Sequence, residues 1–91
     1  MGRLGYLKEF TVNRILRLER VIDRYGKSRS PIYADISAGL FPRPIKLGVR
    51  AAGWPEHEVA ALVAARIAGL SEDAIRKLVH RLHSQRKESA Q

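Results

Sequence analysis

Apolar residues first recur with a helical period shortly after the start of the chain. One face of a predicted first helix carries Leu18, Val21, Ile22 and Tyr25, at positions i, i+3, i+4 and i+7. Gly26 follows directly, and glycine takes the left-handed conformation that ends many helices. The pattern predicts a short helix that stops at residue 25. Residues 1 to 14 show no clean period and are compatible with either a short helix or an arm packed on the domain.

A second helix is predicted after a tight turn. Ser28 and Ser30 can each cap its N-terminus, and Pro31 suits its first turn, where amides have no intrahelical acceptor. Gly39 marks its end. Two short helices joined by a glycine-containing turn form a helix-turn-helix pattern. The side of the second helix expected to be buried holds Ile32, Tyr33, Ile36 and Leu40.

The apolar period then becomes an alternating one, which predicts a small β-hairpin. Ile45 and Leu47 alternate with a polar residue, and Gly48-Val49 places glycine first, as a type II′ turn requires. With that dipeptide at the tip, Leu47 is expected opposite Arg50 and Ile45 opposite Ala52. The result is a protruding ribbon.

The residues around this ribbon indicate how it is held. Pro42 and Pro44 lack an amide donor, which confines the ribbon to the edge of a sheet. Trp54, the only tryptophan, is expected to anchor its base in the core. Lys46 and Arg50 flank the tip and carry positive charge.

Two further helices are predicted. The third begins near Pro55 and is expected to bury Val59, Leu62, Val63 and Ile67 before Gly69 breaks it. The fourth opens at Ser71 and has a basic outer face. We therefore expect an N-terminal arm at 1–14, a helix-turn-helix domain with a hairpin at 15–68, an amphipathic helix at 71–84 and a flexible tail at 85–91. The apolar stripe of the fourth helix packs on its own domain or forms candidate oligomer contacts through Ile75, Leu78, Val79 and Leu82.

The charge of the chain is unevenly distributed. The 91 residues include 17 Lys and Arg and 9 Asp and Glu, for a net charge of +8. Residues 14 to 50 alone hold nine cations and three acids. Such an excess is typical of proteins that bind a polyanion or an anionic membrane.

Other classes of protein find little support in the sequence. The longest apolar run, from Val59 to Ala65, is too short to span a membrane, and the chain has no cysteine for a disulfide or thiolate metal site. His80 and His83 have a spacing that suits two metal ligands, but no further ligand is evident nearby. We expect no enzyme, no cofactor, no metal and no small-molecule substrate, and a cytoplasmic, nucleoid-associated bacterial protein.

The stretch LRLERVIDRYGKSRSPIYADISAGLFPRPIKLGVRAAGW resembles the AlpA-type regulators and related excisionases. The likeness runs from about residue 16 to 65 and is most specific in Ser28-Arg29-Ser30 with Ile32-Tyr33, in the link 39–44, and in 46–54. Pro31, Ala34 and Asp35 depart from the family pattern. The resemblance implies a MerR-like winged helix-turn-helix, mainly α with a small hairpin, in which the second helix reads the major groove and the hairpin is a wing.

The resemblance places candidate DNA contacts on the first helix and turn, on the second helix and on the wing. Arg29 is the strongest candidate for base readout, since arginine forms a bidentate contact with guanine. The candidates on the recognition helix are Ser28, Arg29, Ser30, Tyr33, Ala34 and Ser37; those on the wing are Arg43, Lys46, Gly48 and Arg50; and those for phosphate are Arg20, Arg24 and Lys27.

The resemblance implies either of two functions. One is an excisionase, or recombination directionality factor, that binds and bends attachment-site DNA cooperatively and directs a tyrosine integrase toward excision of a mobile element. The other is a transcriptional regulator of a prophage or integrative element. A protein-interaction adaptor that binds no DNA is a further alternative. The expected partners are double-stranded DNA, a tyrosine integrase and other copies of the chain.

Overall fold

Helices dominate the part of the chain that the structure, a computed structural model, describes, which is residues 14–89. In chain order the elements are β1 (Ile15–Leu16), α1 (Leu18–Tyr25), α2 (Arg29–Ala38), β2 (Ile45–Lys46), β3 (Ala52–Pro55), α3 (Glu56–Ile67) and α4 (Glu72–Ser89). The predicted order of helix, turn, helix, hairpin and two further helices is confirmed. The predicted arm at 1–14 lies outside the described residues, apart from Arg14.

The turns after α1 and α2 follow the glycine signals in the sequence. Gly26 has φ 81° and its amide donates to Ile22, and Gly39 has φ 79° and donates back into the last turn of α2. A side chain at either position would be strained in this left-handed conformation. The two glycines therefore fix where both helices stop.

The sheet contains a strand that the sequence pattern did not reveal. The strands are ordered β1-β3-β2, all antiparallel, and Leu16 pairs with Trp54. A two-residue strand has too little alternation to give a period-two signal. Its pairing with β3 makes the hairpin part of a three-stranded sheet that joins the start of the domain to the wing.

The predicted hairpin register is wrong by one residue. Ile45 pairs with Gly53 and Lys46 with Ala52, and the amide of Leu47 donates to the carbonyl of Ala51 at 2.8 Å. The tip therefore holds residues 48–50, and no positive φ occurs there, so the turn is not type II′. The tip is one residue longer than predicted because the amides of Leu47 and Gly48 both donate to the carbonyl of Ala51, at 2.8 Å and 3.2 Å. On the other side of β3, Gly53 is crowded by β1: a Cβ there would lie 2.5 Å from Cγ2 of Ile15 and 2.9 Å from the carbonyl oxygen of Leu16. Glycine is needed at this position between the two neighbouring strands.

One continuous core joins the helices to the base of the hairpin. Trp54 is 1% exposed, as predicted, and its Nε1 donates to the carbonyl of Pro42 at 2.8 Å. Phe41 lies between Trp54 and Tyr25, with ring centroids 6.1 Å and 4.6 Å away. The buried apolar residues are Leu16, Val21, Ile32, Leu40, Phe41, Trp54, Val59, Leu62, Ala65, Ile75, Val79 and Leu82.

Two residues expected in the core are exposed. Ile67 is 82% exposed at the C-terminal end of α3, where Ala65 is buried instead. Tyr33 is 40% exposed on α2. Both residues lie at the edge of the apolar face of their helix. The helical period predicts where that face lies, but whether its edge is buried depends on the neighbouring helix or strand.

Helix α4 is part of the same domain. Ile75, Val79 and Leu82 are buried in the common core and Leu78 packs against it. The structure therefore favours the alternative in which this stripe packs on its own domain, and oligomer contacts through these four side chains stay a prediction. The predicted end at residue 84 is also wrong, since α4 continues to Ser89. Of the predicted flexible tail, residues 90 and 91 lie outside the described residues.

Candidate nucleic-acid interface

The first half of α2 presents its polar face to solvent. Ser28 occupies the N-cap position without a side-chain capping bond, and Arg29 begins the helix. Ser28, Arg29, Ser30, Ala34 and Ser37 are all exposed. The six predicted recognition residues thus share one accessible surface of α2, which Tyr33 completes. Their contact with DNA stays a prediction.

Tyr33 connects this surface to the base of the hairpin. The guanidinium of Arg29 lies 5.8 Å from the centroid of the Tyr33 ring. The same ring meets Trp54 edge-on, with centroids 6.5 Å apart. Tyr33 is therefore neither a plain core residue nor a freely projecting one. It packs between the candidate base-reading arginine and the strand that carries the wing.

The hairpin places its charged side chains in solvent. Arg43, Lys46, Gly48 and Arg50 are exposed, and Val49 at the tip is 92% exposed. Within residues 14–89, no carboxylate lies within ion-pair distance of Arg29, Lys46 or Arg50. These cations remain available to an external anion.

Two of the predicted phosphate contacts are already paired within the protein. Arg24 donates to Glu56 at 2.8 Å, and Lys27 donates to Asp35 at 2.8 Å. Arg20 is exposed and has no such partner among the described residues. The structure therefore favours Arg20 over Arg24 and Lys27 as a phosphate contact.

Asp35 lies inside the domain rather than on the exposed surface of α2. It is 8% exposed and accepts hydrogen bonds from the Tyr25 hydroxyl at 2.9 Å and from Lys27. Arg66 of α3 lies 3.6 Å away and also donates to the Tyr25 hydroxyl at 3.2 Å. Burial and the Asp35 carboxylate raise the pKa of Tyr25, so this hydroxyl stays protonated and donates. Asp35 thus fixes α2 on α1 and α3 and does not repel phosphate.

Helix α4 holds the backbone on both sides of the link between α2 and the wing. Nε2 of His83 accepts a hydrogen bond from the Arg43 amide at 3.1 Å, and Nη2 of Arg86 donates to the Arg43 carbonyl at 2.7 Å. Nε of Arg76 donates to the carbonyl of Ala38 at 2.9 Å. These contacts fix the end of the recognition helix and the start of the wing relative to one another.

Arg86 reaches the link because a buried carboxylate orients it. Glu58 is 0% exposed and accepts from Nε and Nη2 of Arg86 at 2.9 Å and 2.7 Å. Glu58 lies in the first turn of α3, and Arg86 lay in the predicted flexible tail. Sequence reasoning missed this pair because the partners are far apart in the chain and neither has a local motif.

The histidines of α4 give no metal site in the structure. Among residues 14–89, no group of three or more histidines or carboxylates is placed to hold a metal ion. Burial, together with the positive charges of Arg43 and Arg86, lowers the pKa of His83. A neutral His83 with Nδ1 protonated fits its role as an acceptor at Nε2. In the same part of the chain, no helix combines the length and apolar character needed to cross a membrane.

A helix-turn-helix, a β-hairpin beside its second helix and an exposed cationic surface across both define the class of winged helix-turn-helix proteins. Residues 14–67 match the model of the family described as prophage CP4-57 regulatory protein (AlpA). The chain belongs to this family of prophage regulatory proteins, as its motifs predicted.

A phage protein gives a second comparison. The chain is 43% identical over 63 residues to the uncharacterized protein ORF88 of Enterobacteria phage P4, which covers 69% of this chain and 72% of the phage protein. No solved structure gives a significant match. Both comparisons connect the chain to phages.

Proposed function

We propose that the protein is a sequence-specific DNA-binding excisionase of a prophage or integrative element. The observation that carries this proposal is the exposure of Arg29 on α2 and of Lys46 and Arg50 on the wing, without a carboxylate partner in the described part of the chain. Cations in this state attract phosphate at little internal cost, whereas paired cations must first leave their acids.

The two elements have separate roles in this proposal. The N-terminal half of α2 enters the major groove, where Arg29 reads guanine and the serines hold phosphate. Lys46 and Arg50 bind the backbone beside the groove. The stacked Tyr33 ring limits the orientations available to Arg29, which favours one bidentate geometry over a loose electrostatic contact.

The proposal further specifies that the protein acts in excision. In this role several copies bind head to tail near an attachment site, bend the DNA and direct a tyrosine integrase toward excision. A recognition helix of ten residues reads a short site, so a long attachment region requires several copies. Since the apolar side of α4 is buried, contacts between copies involve another surface.

Transcriptional regulation is the second candidate function. It is supported by the description of the matching family as regulatory proteins. The same surface serves both functions, because bending near a promoter and bending near an attachment site place the same demands on the protein.

The first experiment tests DNA binding itself. Wild-type protein is used to select duplexes from a pool with a random 30-base-pair centre, and binding of the selected duplex is compared with random DNA at several salt concentrations. We expect an enriched sequence and an affinity that falls steeply with salt. If no sequence is enriched and binding to every duplex is weak and insensitive to salt, the protein is an adaptor rather than a DNA reader.

The second experiment separates the two functions. Excision is measured in cells with the integrase of the same element, and transcription from the promoter nearest the selected site is measured in parallel. Loss of excision in a strain with Arg29→Ala, with unchanged transcription, supports the excisionase. Loss of promoter control with unchanged excision supports the regulator.

A further inference from the structure

A second cationic surface extends from Arg43, at the start of the wing, onto α4. It is an open cleft of about 370 Å³ between the link and α4, lined by Arg43, His80, His83, Ser84 and Lys87. We refer to it as the link cleft. Its α4 residues recur at i, i+3, i+4 and i+7, so they occupy one face of the helix.

The link cleft has no acid in its lining. Glu58 is the nearby carboxylate that influences His83, but two bonds from Arg86 occupy it and the side chain is fully buried. Among the described residues, no carboxylate lies within ion-pair distance of Arg43 or Lys87. The cleft therefore combines positive charge and imidazole groups without an internal counterion, while the Ser84 hydroxyl donates to the carbonyl of His80 at 3.2 Å.

The backbone contacts of Arg43 make this cleft a pre-formed feature. His83 and Arg86 bind both the amide and the carbonyl of Arg43, so the residue that lines the cleft is fixed to the helix forming its other wall. Only Pro44 separates Arg43 from β2, so the link cleft lies next to the wing. An anion held there is adjacent to whatever the wing contacts.

We propose that the link cleft binds a phosphate of the same DNA duplex, beyond the phosphates contacted by the wing. The proposal rests on the proposed DNA binding and assigns α4, which lies outside the family match, a direct part in it. Phosphate is favoured over an acidic protein segment because the cleft lies next to the wing and an extended duplex presents phosphates at regular spacing on either side of a bound groove.

Lys87→Gln tests this site, and Arg81→Gln is its matched control. Both residues are exposed cations of α4, and each change removes one positive charge, but only Lys87 lines the cleft. The probe is the duplex selected by wild-type protein, in a form with full flanks and in a form shortened on the wing side. Ethylation of single phosphates identifies those needed for binding.

We expect Lys87→Gln to weaken binding to the full-length duplex about three- to tenfold and to lower the salt slope by about 1, while Arg81→Gln has a much smaller effect. One or two flanking phosphates whose ethylation blocks wild-type binding should no longer matter for Lys87→Gln. On the shortened duplex the two variants should bind equally.

Equal binding of Lys87→Gln and Arg81→Gln to the full-length duplex, with unchanged phosphate interference, would overturn the proposal and leave an acidic protein segment as the alternative occupant. This outcome is distinct from failure of DNA binding, in which wild-type protein selects no duplex. Equal unfolding midpoints for both variants establish that a loss of affinity does not come from a loss of fold.

Discussion

The exposed cations of α2 and the wing, here called the functional side, differ from the cations that join elements of the domain, here called the structural side, in one respect: whether the protein supplies an acid. Arg29, Lys46 and Arg50 have no carboxylate partner within residues 14–89. Arg24 pairs with Glu56, and Arg86 with Glu58. The same two residue types thus hold elements together on one side and are left for a partner on the other. Net charge alone does not locate a binding surface; the distribution of the acids does.

The largest effect should come from breaking the most buried pair on the structural side. Arg86→Met leaves the Glu58 carboxylate buried without a counterion, and we expect a loss of about 3 kcal/mol in the free energy of unfolding, measured by urea denaturation. Arg29→Met, on the functional side, should change stability by less than about 0.5 kcal/mol. Replacing Glu58 with Gln in the Arg86→Met background should recover part of the loss. Equal stabilities for Arg86→Met and Arg29→Met would contradict the distinction between paired cations that stabilise the fold and unpaired cations that do not.

Substitutions at the base and at the tip of the wing should also differ clearly in their effect on stability. Gly53→Ala would place a Cβ 2.5 Å from Ile15, whereas Gly48→Ala meets nothing closer than 3.9 Å. We expect Gly53→Ala to lower stability by about 1–3 kcal/mol because the strands must separate. Gly48→Ala should be nearly neutral. Thermal unfolding of both variants tests this, and a neutral Gly53→Ala would mean that the sheet adjusts more freely than the contacts indicate.

Substitutions on the recognition helix and on the wing should affect DNA binding in different ways. Arg29→Ala should reduce discrimination between selected and random DNA by about 1–3 kcal/mol. Titrations of both duplexes at one salt concentration give this difference. An equal loss of affinity on both would assign Arg29 to phosphate binding instead of base readout.

Lys46→Ala and Arg50→Ala should weaken binding on both duplexes alike. Each should lower the slope of log affinity against log salt by about 1, because one phosphate contact is lost. Lys77→Ala, a basic residue on α4 that does not line the link cleft, is the control. A change in sequence preference in either wing variant would show that the wing reads bases.

The smallest expected effect is the contribution of His83 to the pH dependence of stability. The pKa of His83 is lowered in the folded state, so the unfolded chain binds the proton more readily. The stability contributed by His83 is therefore fully present above its unfolded pKa of about 6.5 and is lost as the pH falls through the lower folded value. His83→Gln, which keeps an acceptor, should lose less stability on acidification. Parallel stability curves for both proteins would exclude this contribution.

Parts of this structure could be predicted from local sequence, and others could not. The ends of α1 and α2 were predictable because Gly26 and Gly39 follow apolar stripes of helical period. The hairpin register was not, because the tip closes through the amides of Leu47 and Gly48 on the carbonyl of Ala51 and not through a two-residue turn. Strand β1 was not predictable either, because the two residues Ile15–Leu16 carry no period. Charge composition identified the candidate binding surface but not which cations were already paired.

The sequence by itself determined the helix-turn-helix order, the family and the candidate residues exposed on α2, since these depend on neighbours within a few positions. Tertiary structure alone decided that Asp35 is buried, that Tyr33 packs between Arg29 and Trp54, and that α4 fixes the link through His83 and Arg86. Each of these contacts joins residues brought together by packing, and their partners are set by the path of the chain in space.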